Sequence, residues 1–150
     1  QGTAWRESAF NDSAWKTGAA QLGYGDGDEQ TVVSFGGNSK KKYITTYFRQ
    51  AFNVTTPSQF TTLNLSLIRD DGAVVYINGV EVWRSNMPAG AIGYKTLAAT
   101  AMDGTGESEW VSTTLNPSLL TDGSNLIAVE IHQSAANSSD ISFDLKLSGQ

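Results

Sequence analysis

The sequence contains no cysteine, and among its 150 residues only 3 are proline and 1 is histidine. The absence of cysteine excludes disulfide scaffolds, cysteine-ligated zinc and thiol catalysis. No apolar run approaches the roughly 18 residues of a membrane-spanning helix, so we expect no membrane insertion. The chain carries no readable targeting leader and opens at Gln1 rather than methionine. We therefore expect residues 1–150 to form a single module of a longer protein.

Charged residues are also scarce, at 17% of the chain, against about 25% in an average domain. Acidic residues outnumber basic ones by 15 to 10, which gives a net charge of -5. This balance argues against a nucleic-acid partner, because such binding depends on lysine and arginine facing phosphate. The polar surface must instead be built from serine, threonine, asparagine and glutamine. Such a hydroxyl-rich exterior is typical of secreted or cell-surface proteins.

Apolar residues alternate with polar ones along most of the chain. In residues 43–54, for example, Ile44, Phe48 and Phe52 fall on one face of an extended strand. Asn78-Gly79 lies between two β-branched runs, and this dipeptide predicts a two-residue hairpin turn with positive φ at both positions. Helix signals are limited to short turns near Asp12 and at residues 116–120. The pattern predicts an all-β fold, an antiparallel two-sheet β-sandwich or jelly roll whose strands have one wet face.

No enzyme signature accompanies the strands. The sequence has no Gly-x-Ser-x-Gly elbow, no zinc-protease motif and no phosphate-binding Gly-rich loop. A small hydrolase would have to be built around the single histidine, His132. Since His132 lies on a predicted strand beside Glu130, a structural role is favoured over a catalytic one.

Acidic residues in glycine-rich turns are candidates for a structural calcium site. Asp26, Asp28 and Glu29 fall within one loop, and Ca²⁺ binds six to eight oxygens that such a loop can partly supply. Asp70-Asp71, just before the hairpin, forms a second candidate. The spacing does not fit an EF-hand, and both segments can equally be ordinary solvated turns.

A sugar-binding site needs an aromatic face for stacking and polar groups for the hydroxyls. Trp83 follows the hairpin and leads into Arg84 and Asn86, with Tyr94 after the next loop. We predict a carbohydrate site from these four residues, in which Arg84 and Asn86 bind hydroxyls or an acidic group. The alternative is that Trp83 caps the core and Arg84 pairs with Glu81.

A second candidate surface lies on the strand at residues 43–54. Tyr43, Tyr47 and Arg49 alternate with apolar residues and therefore share one side of a sheet, spaced about 7 Å apart. This spacing suits contacts along a polysaccharide, but the same residues could lie under a loop.

Five segments of the chain together resemble a known family, the accessory modules of the galactose-binding-like β-sandwich superfamily. They are GYGDGDEQT (Gly23–Thr31), ITTYFR (Ile44–Arg49), RDDGAVVYINGVEVWRSNMPAG (Arg69–Gly90), NLIAVEIHQ (Asn125–Gln133) and SSDISFDL (Ser138–Leu145). The DDG-hairpin segment is also similar to protective-antigen-type sugar-binding domains, in which consecutive aspartates hold calcium. In that light Asp71 is the expected calcium ligand of the pair.

The resemblance implies a non-catalytic carbohydrate-binding module of a secreted, multi-modular bacterial protein. Its partners would be a polysaccharide or oligosaccharide and an adjacent catalytic domain of the same chain. It also implies a strand ahead of Gln1 and adds the late-strand Asp144 to the calcium ligands. A structural or protein-interaction module of a cell-surface protein is the alternative, because one sandwich fold serves many binding tasks.

Overall fold

The computed structural model describes residues 1–150, which form nine strands in two sheets. The outer sheet has the strand order β2-β1-β9-β4-β7 and the inner sheet the order β3-β8-β5-β6. All neighbouring strands are antiparallel except β1 and β2. The predicted all-β sandwich is therefore confirmed. The strands are β1 (Leu22–Tyr24), β2 (Thr31–Val32), β3 (Thr45–Val54), β4 (Leu63–Arg69), β5 (Gly72–Ile77), β6 (Val80–Ser85), β7 (Val111–Leu115), β8 (Gly123–His132) and β9 (Ile141–Gly149).

The hairpin between β5 and β6 turns at Asn78-Gly79, as predicted. Asn78 has φ 50° and Gly79 has φ 83°, the left-handed backbone that this two-residue turn requires. The Asn78 side chain also donates to the carbonyl of Leu119 at 3.0 Å and accepts from the backbone N–H of Leu126 at 2.9 Å. The turn is thus fixed to β8 as well as closed on itself.

The main core lies between the two sheets, where the alternating apolar residues meet. Phe48 of β3 stacks on Phe143 of β9 with ring centroids 4.4 Å apart, which places β3 over β9. On the outer sheet the alternation leaves a wet face, where Ser112 and Thr114 are exposed. The buried residues of this core are Tyr24, Leu63, Leu65, Leu67, Ala73, Val75, Ile77, Leu120, Ile127, Val129, Ile131, Ile141 and Phe143.

The inner sheet is buried on both faces, so the expectation of one wet face is wrong for this sheet. A 3₁₀ turn at Ala4–Arg6 places Trp5, only 1% exposed, against its second face. The Trp5 ring packs edge-on against Tyr47 at 4.7 Å and Tyr76 at 5.7 Å. This second cluster also includes Val74, Leu126 and Ala128.

Arg49 holds the amino-terminal segment on the inner sheet. Its guanidinium donates to the carbonyls of Trp5, Glu7 and Phe10, and it pairs with the Asp12 carboxylate at 2.9 Å. Of the flat surface considered for β3, only Tyr43 is well exposed; Tyr47 and Arg49 lie under this segment. The interpretation that they lie under a loop is therefore correct.

Helical structure is limited to short turns. One covers Pro117–Leu119, where the Asn116 side chain accepts from the N–H of Ser118, and this turn was predicted. Near Asp12 there is only a single turn, in which the N–H of Trp15 donates to the Asp12 carbonyl at 2.8 Å. The others are Pro57–Gln59 and a four-residue turn, α1 (Thr105–Ser108). None of these helices has the length and apolar character needed to span a bilayer.

Candidate metal centre

Five carboxylates from four separate segments lie near one end of the sandwich, close enough for the charges of Asp71, Asp140 and Glu107 to raise the pKa of Asp70. Asp26 comes from the β1–β2 loop, Asp70 and Asp71 from the β4–β5 junction, Glu107 from α1, and Asp140 from the residue before β9. We call these five residues the acidic cluster. Carboxylate oxygens of Asp26, Glu107 and Asp140 lie within 4.8 Å of one another.

Asp70 is the buried member of the cluster that has no partner. It is 1% exposed, and neither of its carboxylate oxygens accepts a hydrogen bond. Its backbone N–H donates to the carbonyl of Ser142 at 3.0 Å, which fixes the residue between β4 and β9. Burial, followed by the charges of Asp71 and Asp140, raises the pKa of Asp70 to about 9. A buried, charged carboxylate without a partner is costly, so such a group is either protonated or paired with a cation.

Asp71, in contrast, has both oxygens satisfied by backbone donors. Its carboxylate accepts from the N–H of Met102 at 2.6 Å and from the N–H of Ser134 at 2.6 Å. These bonds tie the β6–β7 and β8–β9 connections to the β4–β5 junction. Asp71 therefore positions two of the segments that carry the other carboxylates.

The β1–β2 loop brings Asp26 to the cluster. The Asp26 carboxylate accepts from the Ser142 hydroxyl at 2.7 Å, and Glu29 closes the loop by accepting from the N–H groups of Asp26 and Gly27 at 3.0 Å. Burial and the neighbouring Asp140 raise the pKa of Asp26 to about 6, against the lowering effect of the Ser142 hydrogen bond. Gly25, with φ +115°, allows this approach because a Cβ there would lie 2.5 Å from the Asp140 side chain.

No basic side chain of the protein pairs with the acidic cluster. Arg69 adjoins Asp70 in sequence but donates to the Ser85 hydroxyl at 2.9 Å and the Gly106 carbonyl at 3.5 Å. Lys42 donates to backbone carbonyls of the β8–β9 connection, including Ser139 at 2.6 Å. The cluster thus offers hard oxygen donors without a counter-charge, a donor set that suits Ca²⁺ better than softer metals.

The sequence anticipated part of this centre. Asp26 and Asp71 belong to it, and the exposed Asp28 lies at its edge, in a group with Asp26 and Glu29. Asp144 lies away from it on β9, opposite Ile68, where its carboxylate accepts from the N–H of Leu145 at 2.7 Å. The sequence reasoning missed two members, Glu107 and Asp140. The only signal for Asp140 was its place directly before a predicted strand, and Glu107 gave none.

The residues predicted to bind sugar are engaged in different structural roles. Trp83 is half-buried and packs against the main core. Arg84 pairs with Glu81 and donates to the carbonyls of Pro88 at 2.9 Å and Gly90 at 2.8 Å. These contacts match the alternative interpretation, in which Arg84 pairs with Glu81, and they use much of the donor capacity of the guanidinium.

Asn86 and Tyr94 belong to the long β6–β7 connection. The Asn86 amide donates to the carbonyls of Asp71 at 3.0 Å and Thr100 at 2.7 Å, so it braces the loop from inside. Tyr94 is 39% exposed and is the member of the predicted set that presents a free aromatic face.

A cleft of about 480 Å³ opens between the edges of the two sheets. Its floor is apolar and includes Phe48, Ile127 and Phe143, while Trp15 and Lys16 lie at its rim. A neighbouring cleft of about 280 Å³ is lined largely by apolar residues of β3 and β9. These surfaces suit apolar groups better than sugar hydroxyls.

His132 is fully buried in a hydrogen-bond network. Its Nδ1 lies 2.7 Å from the Thr96 carbonyl and 3.1 Å from the Thr45 hydroxyl, so Nδ1 carries the proton and donates. Its Nε2 lies 3.3 Å from the Glu130 carboxylate. The Thr45 hydroxyl donates to the Tyr94 carbonyl at 2.6 Å. The arrangement fixes the β6–β7 connection against the inner sheet, and the imidazole does not reach either cleft.

Comparison with solved structures identifies similar folds within large glycosidases. A β-glucuronidase from Bacteroides uniformis superposes with a TM-score of 0.62 at 17% identity, over 99% of this chain but 16% of the enzyme. A calcium-binding mutant of B. uniformis β-glucuronidase 2 gives 0.54 at 15% identity, over 95% of this chain and 16% of that one. A glycoside hydrolase family 2 β-glucuronidase gives 0.52 at 19% identity, over 88% and 12%.

At these identities the similarity establishes the fold alone, and the chain spans less than a fifth of each of these enzymes. No protein-family model matches the sequence, and no curated protein matches it. The chain thus has a β-sandwich fold that also occurs as a small part of larger glycosidases.

Proposed function

We propose that this chain is a calcium-binding, non-catalytic accessory domain of a larger, secreted or cell-surface carbohydrate-processing protein. The observation that carries the calcium assignment is the buried Asp70 carboxylate, which has no partner in the protein. Ca²⁺ would supply the missing counter-charge for Asp70, with Asp26, Asp140 and Glu107 as further oxygen donors. Asp71 would keep its two backbone donors and position the segments around the ion.

A solved neighbour supports this assignment, since it is named a calcium-binding mutant of a β-glucuronidase that contains a similar fold. A structural ion also suits the construction of the site. It would cross-link the four segments that carry the acidic cluster, and a ligand that binds only the folded state stabilises it.

Calcium titration into chelator-treated protein tests the assignment. We expect isothermal titration to detect Ca²⁺ binding to the wild type and a rise in melting temperature on adding Ca²⁺. Asp70→Asn should lose both, whereas Asp144→Asn, which removes a carboxylate outside the cluster, should keep both. No heat and no thermal shift up to millimolar Ca²⁺, the weakest range of extracellular calcium modules, would refute the site.

Loss of binding in Asp144→Asn but not in Asp70→Asn would place the ion on the other predicted carboxylate. Asp28→Asn distinguishes the loop from the cluster. We expect at most a small effect, because Asp28 is exposed and lies at the edge of the site.

Carbohydrate binding is the second part of the proposal. The similar folds belong to carbohydrate-processing enzymes of which they form a small part. The low-charge, hydroxyl-rich surface of the chain is compatible with a glycan partner. A module of this kind would hold an attached catalytic domain near its polysaccharide and so raise the effective concentration of substrate. Since the donors of Arg84 and Asn86 are largely engaged, Tyr94 is the predicted residue best placed to stack on a sugar ring.

Affinity electrophoresis against neutral and uronic-acid polysaccharides, with Ca²⁺ present, tests this part. We expect retardation by at least one glycan, reduced in Tyr94→Ala. Tyr43→Ala is the matched control, because Tyr43 is a similarly exposed tyrosine on the other candidate surface. Retardation lost in Tyr43→Ala alone would move the site to the segment directly before β3. The absence of retardation by every glycan would remove carbohydrate binding from the proposal.

The apolar clefts favour a second candidate, a structural module that packs against a neighbouring domain. Their floors expose core residues of β3, β8 and β9 that a partner could cover. This alternative predicts no glycan response but a large, apolar contact with the rest of the parent protein. Co-expression with the adjoining domain, followed by size-exclusion chromatography, would detect that contact.

A further inference from the structure

The segment around α1 has few contacts of its own that hold it in place. Thr105–Ser108 has no side-chain cap and no buried residue. Its hydrogen bonds are few: the N–H of Gly106 donates to the Asp103 carbonyl at 3.1 Å, while the Glu107 N–H to Gly104 carbonyl distance is 3.4 Å and Arg69 reaches the Gly106 carbonyl at 3.5 Å. A helix of a single turn is not stable by itself.

The residues on either side of this segment are firmly anchored. The N–H of Met102 donates to the Asp71 carboxylate at 2.6 Å, and Val111 begins β7, paired with Leu67 of β4. Residues 103–109 therefore form an arch between two fixed points. We call this stretch the α1 arch.

Glu107 is the side chain of the α1 arch that reaches the acidic cluster, while Arg69 of β4 contacts the Gly106 carbonyl of the arch. Its carboxylate lies within 4.8 Å of carboxylate oxygens of Asp26 and Asp140, which are held by the β1–β2 loop and by β9. Like charges at this distance repel one another, and no lysine or arginine pairs with Glu107. A cation between the three groups would remove this repulsion.

We infer that a divalent cation bound at the acidic cluster holds the α1 arch against the sandwich through Glu107, and that the arch detaches when the cation is removed. This inference rests on the proposed calcium site and adds a conformational consequence to it. Cation binding would close this end of the molecule, because Asp26, Asp140 and Glu107 would then share one ligand. The strands would be unaffected, since their hydrogen bonds do not depend on the cluster.

Hydrogen exchange measured by mass spectrometry, with Ca²⁺ and with chelator, tests the inference. In Ca²⁺ we expect amides of residues 104–109 to exchange at least about tenfold more slowly than in chelator. Amides of β8, which lies between two neighbours in the inner sheet, should exchange equally in both conditions. Ca²⁺ binding is measured in parallel by isothermal titration.

Two variants separate the role of Glu107 from a general effect of the ion. In Glu107→Gln the α1 arch should exchange rapidly even in Ca²⁺, while weakened Ca²⁺ binding remains measurable. Glu109→Gln, an exposed glutamate on the same arch but outside the cluster, should behave as the wild type. Slow exchange of the arch in Glu107→Gln with Ca²⁺ would overturn the inference.

The outcomes distinguish the inference from the proposed function. Ca²⁺ binding without any change in exchange at residues 104–109 would overturn the inference and leave the calcium site intact. The absence of Ca²⁺ binding in the wild type would overturn both.

Discussion

Two buried carboxylates, Glu130 on the inner sheet and Asp70 in the acidic cluster, have opposite surroundings. Glu130 is 2% exposed and accepts from the Tyr76 hydroxyl at 2.6 Å. Arg6 lies 3.6 Å from it and His132 3.3 Å. Asp70 is 1% exposed and has no partner. The protein therefore surrounds one carboxylate with its own side-chain partners and provides none for the other.

The two pKa values record this difference. Burial alone would raise the pKa of both groups. For Glu130, the neighbouring His132, the hydrogen bond from Tyr76 and the charge of Arg6 outweigh burial, and its pKa is lowered. For Asp70, the neighbouring carboxylates add to burial, and its pKa rises to about 9. Equal burial thus gives opposite shifts, which shows that the partners decide the direction.

The largest effect is expected from Glu130→Ala. It leaves His132, Tyr76 and Arg6 buried without their common partner, and losing one member of a buried pair costs about 3–5 kcal/mol. Urea denaturation should show this loss. The matched control is Glu81→Ala, which removes a surface ion pair with Arg84 and should cost about 0–1 kcal/mol. Similar losses in the two variants would mean that the network around Glu130 contributes little.

Asp70→Asn should have the opposite sign in chelator at mildly alkaline pH. It replaces a carboxyl, which becomes charged without a partner as pH rises, by a neutral amide, whose NH₂ group can donate to the neighbouring carboxylates. The free energy of unfolding should therefore increase by about 1–3 kcal/mol, the usual cost of a buried group without a partner. In Ca²⁺ the wild type should instead have the larger free energy of unfolding of the two proteins, because it alone gains binding energy from the ion. A variant less stable than the wild type in chelator would show that Asp70 has a favourable partner after all.

The pH dependence in chelator follows from the same shifts. The pKa of Asp70 is raised above its unfolded value of about 3.9, so its stabilising proton is fully bound below that value and lost as pH rises toward 9. Glu130, whose pKa is lowered, stabilises the fold above its ordinary pKa and loses this contribution as pH falls through the lowered value. Both pH 5 and pH 8 lie between the unfolded and the folded pKa of Asp70, so across this range the wild type should lose up to about 4 kcal/mol, at about 1.4 kcal/mol per pH unit for one proton.

Chemical denaturation of the wild type and Asp70→Asn at both pH values checks this expectation. The variant should show a clearly smaller loss, with the remainder assigned to Asp26, whose pKa is raised to about 6. Equal losses of stability in both proteins would exclude Asp70 as the source of the pH dependence.

The smallest effect is expected from Asp144→Asn. Its carboxylate accepts a hydrogen bond from the next residue in the chain and belongs to neither buried group. We expect a change within about 0.5 kcal/mol, the usual range for such a surface substitution, in Ca²⁺ and in chelator alike. A calcium-dependent difference would extend the metal centre to β9.

The sequence predicted the strands and the hairpin because their signals are local. Alternation and the Asn78-Gly79 dipeptide depend on neighbours a few residues away. The burial of Thr45, Glu130 and His132 was not predictable in this way. Alternation places them on a wet face, and it is the amino-terminal segment and the β6–β7 connection that cover them.

The candidate metal centre was predicted only where its ligands share a loop or a turn. Asp26 and Asp71 lie in segments with visible turn chemistry. Glu107 and Asp140 join them through the pairing of strands that are remote in sequence, which spacing cannot indicate. The short β1 and β2 escaped prediction for a related reason, since three and two residues are too few to establish a period.

The guanidinium of Arg49 has a consequence for the architecture of the chain. By binding the carbonyls of Trp5, Glu7 and Phe10 it does for an irregular stretch what a neighbouring strand does for a sheet edge. The amino-terminal residues thus form a third layer on the inner sheet. One arginine side chain holds this layer in place, where a strand would be held by a row of backbone hydrogen bonds. A version of the protein trimmed back to β1 would uncover the charged network on the inner sheet, and it should aggregate or unfold.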